Sequence, residues 1–167
     1  MWLAISLRAD PRYSLVAILL LGLSFAFPNV AVVADDRPAF DTGVVWLDRG
    51  DGTILTFSVE VARTPRQWSF GLMHVTSMPE GQGMLFVFPN MAPRRFWMKN
   101  TRIPLDMLFF DDDGTLVSAA QNVPPLSLQA RWSAGDARFV LELNGGVMAA
   151  QGISTMARLL RAENDGW

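Results

Sequence analysis

A mainly β fold, built as a single-domain β sandwich or distorted barrel with one short helix, is what this 167-residue sequence predicts, on three observations. Ile54 to Ala62 alternates apolar and polar residues with period two. Short apolar runs recur along the chain, punctuated by glycine, proline and aspartate. Only the stretch from Thr64 carries the chemistry of a helix start. A parallel α/β sheet would need a helix between most strands, and at this size a sandwich or barrel disposes of sheet edges best.

The N-terminus reads as a targeting device. Arg8 and Arg12 precede an apolar run from Ser14 to Phe27, Pro28-Asn29 breaks it, and Val32-Val33-Ala34 offers small residues to a peptidase. Residues 1–34 are expected to be a signal peptide cleaved after Ala34, with the protein exported to the periplasm or secreted. The alternative is an inner-membrane anchor through residues 14–34, nearly long enough to span but interrupted by Pro28-Asn29. Cleavage removes two arginines and one aspartate, taking the net charge from -2 to -3. The leader has no adjacent arginine pair for twin-arginine export, and the absence of cysteine excludes lipid attachment, disulfides, thiol nucleophiles and thiolate metal sites. Core burial must then hold the exported chain together, and residues 35–167 are enough for that.

Residues 35–42 are polar and proline-bearing, and read as an exposed arm ahead of a β domain over residues 43–161 and a polar tail over 162–167. Gly43 to Asp48 is the first expected strand, and Arg49-Gly50-Asp51-Gly52 its turn. In the second strand Leu55, Phe57, Val59 and Val61 share one face, with Thr56, Ser58 and Glu60 on the other. Thr64 can cap a helix, Pro65 suits its first position and Gln67 completes a capping box; the helix should end near His74, with Gly71 passing close to another backbone. Met84 to Phe88 is an unbroken apolar run, hence a strand buried on both faces. Pro89 to Pro93 reads as a turn, Arg94 to Lys99 and Leu105 to Asp111 as strands, and Asp112-Asp113-Gly114 as a tight hairpin into Thr115 to Val123. Pro124 to Gly135 is a long loop, and Arg138 to Asn144 another strand. Gly145-Gly146 leads into a short helix over Val147 to Gln151, and a last strand lies near Ile153 to Leu160.

Composition and motifs exclude several functions. The mildly acidic balance gives no electrostatic case for nucleic acid. No glycine-rich phosphate loop or serine elbow is present. One histidine without cysteine leaves too few ligands for zinc, and Asp111 to Asp113 lack the spaced oxygens and later glutamate of a calcium loop. His74 beside Met73, with Met98 elsewhere, has ligand types suited to Cu(I), but methionines among leucine and phenylalanine are core fillers. No metal or cofactor is therefore expected.

The chemistry concentrates in Phe96 to Phe109, which places the only lysine, Lys99, with Asn100, Thr101 and Asp106 among aromatic and methionine side chains. Read as a single hairpin over Trp97 to Asp106, it puts Phe96 and Met98 on the core face and Trp97 and Lys99 on the accessible one. The polar residues then serve either as a clamp on the turn or as a ligand patch, with Trp97 as a stacking face, Lys99 and Asn100 as donors and Glu142 as an added acceptor. The first choice of function is a binding module for a small polar ligand or an envelope protein. The alternatives are a hydrolase or carbohydrate-active enzyme using Asp106 and Glu142, and a structural protein without a pocket.

Trp97-Met98-Lys99-Asn100-Thr101 followed by Ile103-Pro104-Leu105-Asp106-Met107 resembles the signature of the family catalogued as domain of unknown function 192. Gly71-Leu72-Met73, Gly83-Met84-Leu85-Phe86 and Leu141-Glu142-Leu143 are similar to its other blocks, in order. The resemblance covers about Leu55 to Ile153. It implies one mainly β domain, often exported, with no assigned activity. Where members often have Gly-Asp after the glycine pair and short helix, Gly152 is followed here by Ile153-Ser154, so any role of that acidic position is absent.

Overall fold

The computed structural model describes residues 37–160; the expected signal peptide and polar tail lie outside the described residues. The period-two alternation becomes strand β2 (Ile54–Ala62), paired antiparallel with β1 (Asp41–Asp48). Their turn is tied by the Asp48 carboxylate, which accepts from the Gly50 and Gly52 amides at 2.8 and 3.0 Å. Phe57, Val59 and Val61 are buried, whereas Ser58 is exposed and Glu60 takes an ion pair from Arg37. Residues 37–42 are thus held against the β domain rather than extended from it: Phe40 is half-buried on an apolar cluster, and Asp41 and Thr42 begin β1.

Helix α1 (Pro65–Phe70) forms where the capping box predicts it. Thr64 Oγ1 accepts from the Gln67 amide at 3.3 Å, and Gln67 Oε1 accepts from the Thr64 amide at 3.0 Å. It stops at Gly71 (φ 51°), short of His74, and the close approach there is to a side chain: a Cβ at Gly71 would lie 3.2 Å from the Phe86 ring.

The helix is the crossover between β2 and β3 (Gln82–Phe96), which run parallel. The expected turn at Pro89–Pro93 and separate strand at Arg94–Lys99 are instead parts of this one strand. It pairs with β6 (Arg131–Asn144) almost throughout, and its register slips between Val87 and Ala92 and between Pro93 and Arg95. These irregularities absorb the two prolines, which cannot donate to a ladder. Because β6 begins at Arg131, the loop expected over residues 124–135 is confined to 124–130.

β4 (Leu105–Phe110) and β5 (Leu116–Val123) form the predicted hairpin, with Asp111 Oδ1 accepting from the Asp113 and Thr115 amides. After α2 (Val147–Gln151), the last strand is β7 (Arg158–Leu160), shorter than expected because residues 153–157 turn. The strand order is β5-β4-β6-β3-β2-β1-β7. The outer strands meet at a bridge between Thr115 and Arg158, and Leu159 N donates to Gly114 O at 2.7 Å. The sheet is therefore a curled, distorted barrel with two short helices, not a sandwich.

This order overturns the single hairpin over Trp97–Asp106. β6 lies between β3 and β4 and runs antiparallel to both, so residues 97–104 are a crossover connection that carries the chain back from the start of β6, where Phe96 pairs with Arg131, to its end, where Leu105 pairs with Asn144. The facing assignment survives: Met98 is fully buried and Phe96 half-buried, while Trp97 and Lys99 are exposed. Both faces of the central strands are covered. Inside the curl, Val45, Phe57, Leu85, Leu108, Phe139, Leu141 and Met148 share one apolar cluster. Outside it, Leu72, Met84, Phe86, Met98, Met107, Phe109 and Val140 form a second, packed under α1 and the crossover.

Candidate functional site

The outer cluster is incompletely filled. A cavity of about 440 Å³ opens between α1, the end of β3 and residues 97–101, and its walls include Trp68, Phe70, Phe86, Phe88 and Phe96. Phe96 is central: its ring stands edge-on to Phe86 at 4.9 Å, Phe109 at 5.8 Å and Phe88 at 6.4 Å. Trp68 packs on Phe88 at 4.9 Å and donates its indole N–H to Ala62 O at 3.0 Å, which fixes that wall.

Glu142 lies at the bottom. It sits on central strand β6 on the same face as Val140, opposite Met84 on β3 and Met107 on β4, both fully buried. Only 4% of Glu142 is exposed, yet it lines the cavity. Burial pushes its carboxyl up to about 8, and among the described residues no hydrogen bond or cation opposes it. At neutral pH it is chiefly the neutral acid, a hydrogen-bond donor aimed into an aromatic cup.

The mouth has the opposite character. Arg95, Trp97 and Lys99 line it. Lys99 Nζ lies 5.3 Å from the Trp97 ring centroid and the Arg95 guanidinium 5.8 Å from it, so two cations flank one half-exposed indole. Thr101, almost fully buried, lines the wall beneath them.

Of the six residues predicted as candidates, the cavity gathers Trp97, Lys99, Thr101 and Glu142. Asn100 is beside it but serves the chain: it is in the left-handed region (φ 59°), its carbonyl accepts from His74 N at 2.9 Å, and its amide nitrogen contacts Met73 Sδ at 3.9 Å. Asp106 is elsewhere. Met107 is the residue paired with Glu142, so Asp106 points to the other face of the sheet, with Leu143. Its Oδ1 accepts from the Asn122 and Gly146 amides at 2.6 and 3.1 Å and its Oδ2 from Met148 N at 2.7 Å. Asp106 therefore fastens β5 and the start of α2 to β4, and the sheet separates it from Glu142, which denies them a shared acid-base task.

Sequence reasoning missed the walls and Arg95. Their signals were present, as aromatics two apart at Phe86 and Phe88 and an arginine pair directly before Phe96-Trp97, but nothing local joins these to Glu142. Among the described residues no group of three histidine, aspartate or glutamate side chains could hold a metal ion, and His74 is exposed.

A family model described as DUF192, uncharacterized ACR, matches residues 46–160. No curated protein matches the chain. The chain is similar to several solved structures, two of which follow. One, from Sinorhizobium meliloti and described as a candidate transcription regulator, is 37% identical over 74% of this chain and 95% of its own, with a TM-score of 0.72. The other, a protein of unknown function from Novosphingobium aromaticivorans, is 34% identical over 72% of this chain and 85% of its own, with a TM-score of 0.67.

Proposed function

Since the chain belongs to the DUF192 family, for which no activity can be borrowed, we propose from the cavity itself that it binds a small amphipathic anion. The observation that carries this reading is the polarity along one cavity: two cations and an indole at the mouth, aromatic walls, and an unpaired, neutral carboxyl at the bottom. The cavity volume falls within the range of ordinary small-molecule sites. A ligand with a carboxylate or similar anion at one end, a flat apolar body and a hydrogen-bond acceptor at the other would meet all three zones. Lys99 and Arg95 would hold the anion, Phe86, Phe88 and Phe96 the body, and the Glu142 O–H the acceptor.

The proposed location is outside the inner membrane. The arginines before Ser14–Phe27 and the small residues ending at Ala34 support export and cleavage there. An intact mass of the periplasmic or secreted protein that begins at Asp35 is the expected result, and one that retains residues 1–34 would refute cleavage.

Thermal-shift titration with aryl and alicyclic carboxylates, beside amines of the same shape, tests the ligand reading. Carboxylates should raise the melting temperature and the matched amines should not. Lys99→Ala should abolish the shift without lowering the melting temperature of the free protein. Equal responses to both series, or none to either, would defeat the proposal.

A further inference from the structure

Around the mouth of the cavity lies a surface that the ligand reading does not explain. Eight large apolar side chains are exposed among the described residues, and four of them, Trp97, Leu126, Leu128 and Trp132, belong to one patch. Backbone bonds assemble it: Met98 N donates to Ser127 O at 2.9 Å and Leu126 N to Thr101 O at 3.0 Å, which lays the loop over residues 124–130 along the crossover. Arg95, paired with Trp132 across β3 and β6, places its guanidinium 5.8 Å from the Trp97 ring and 5.9 Å from the Trp132 ring.

Two features single this patch out. Residues 95–102 and 124–132 carry Arg95, Lys99, Arg102 and Arg131 and no acidic residue, in a chain whose net charge is -2. Leu126 is also held at φ 60°, a conformation that a leucine avoids, and there it is 60% exposed. The fold thus holds an apolar side chain out in water on a loop ringed with cations. Phosphate backbones would use the cations but gain nothing from two exposed leucines. A bilayer uses both: indoles and leucines enter the interface while arginine and lysine remain at the headgroups.

We propose that this patch docks on an anionic lipid surface, with the mouth of the cavity facing the bilayer. The assignment goes beyond ligand binding and can fail independently of it, because Leu126, Leu128 and Trp132 do not line the cavity.

The absence of cysteine makes the test site-specific. Leu128→Cys and, as a remote control at the β4–β5 hairpin, Asp113→Cys are each labelled in the full chain with an environment-sensitive fluorophore. Each is mixed with vesicles of phosphatidylcholine alone and of an equimolar mixture of phosphatidylcholine and phosphatidylglycerol. The Leu128 label should shift to the blue and become shielded from iodide only on the anionic vesicles, and the Asp113 label on neither. Adding Leu126→Ser and Trp132→Ala to the Leu128→Cys chain should weaken the response about tenfold or more. Carboxylate binding should persist when those two changes are made in the otherwise native chain. A Leu128 label that stays wet, or labels that respond alike because the apolar N-terminal segment alone holds the chain to the vesicle, would overturn the docking assignment. So would a response that survives the double change.

Discussion

Replacing Asp106 with alanine removes the acceptor of three backbone amides at once. Met148 N is buried, so its loss of Asp106 Oδ2 at 2.7 Å leaves a true orphan, costing about 1–3 kcal/mol. Asn122 and Gly146 are more accessible, and water can restore part of their bonding at 2.6 and 3.1 Å. The sum for Asp106→Ala is about 3–4 kcal/mol, a large share of the roughly 5–15 kcal/mol that holds a domain of this size. Asp106→Asn should cost less, since one oxygen can still serve Asn122 and Gly146 while the new N–H opposes Met148. Lys99→Ala should cost less than about 0.5 kcal/mol, because Lys99 is exposed and makes no bond to Asp106. Urea unfolding followed by circular dichroism measures all three. A loss below about 1 kcal/mol for Asp106→Ala would refute the fastening role, and a loss for Lys99→Ala as large as that for Asp106→Ala would reinstate a clamp between them.

The pH dependence of stability should bear the mark of Glu142. Folded, it holds its proton up to about 8, and unfolded it titrates near 4.5, so stability should fall as pH rises between those values, by up to about 1.4 kcal/mol per pH unit. Below that window Glu142 contributes nothing, and Glu142→Gln should flatten the slope in urea melts taken across it. Thr64→Ala should cost about 1 kcal/mol by uncapping α1, read in the same melts. Gly114→Ala should cost at least about 1 kcal/mol, since Gly114 has φ 80° and its missing Cβ would collide with the Leu159 backbone, where the sheet edges meet. A melting temperature unchanged from the native protein would show that this closure is dispensable.

Local signals were legible because their physics is local. Alternation along β2, the Thr64–Gln67 box and the Asp111–Gly114 turn each depend on residues within one element. The inward facing of Met98 against Trp97 followed from strand geometry even though the strand ends at Phe96. What failed was partnership. Pro89 and Pro93 read as a break because proline cannot donate to a ladder, and only the register slips against β6 show how one strand carries both. Trp97 to Asp106 read as a hairpin because adjacent apolar runs usually pair. Here β6, far along the chain, enters between them, and no residue in the stretch announces it. The same insertion explains why the site was only half legible: Lys99 and Glu142 share a cavity through β6, while Asp106, near Lys99 in sequence, faces the other core.

Asp106 and Glu142 make an internal comparison. Both are buried carboxyls near the middle of one sheet, on neighbouring strands, one register position apart. Asp106 has three amides, so its desolvation is offset by the bonds it receives. Among the described residues Glu142 has none, and burial displaces its acidity. A leucine or methionine would suit the apolar surroundings better, between Met84 and Met107 and beside Val140. Glu142 lines the cavity, so an occupant there that accepts its proton in a hydrogen bond would offset the cost of burying it. Such an occupant would stabilise the fold, which would tie the proposed ligand site to the energetics of the central strand.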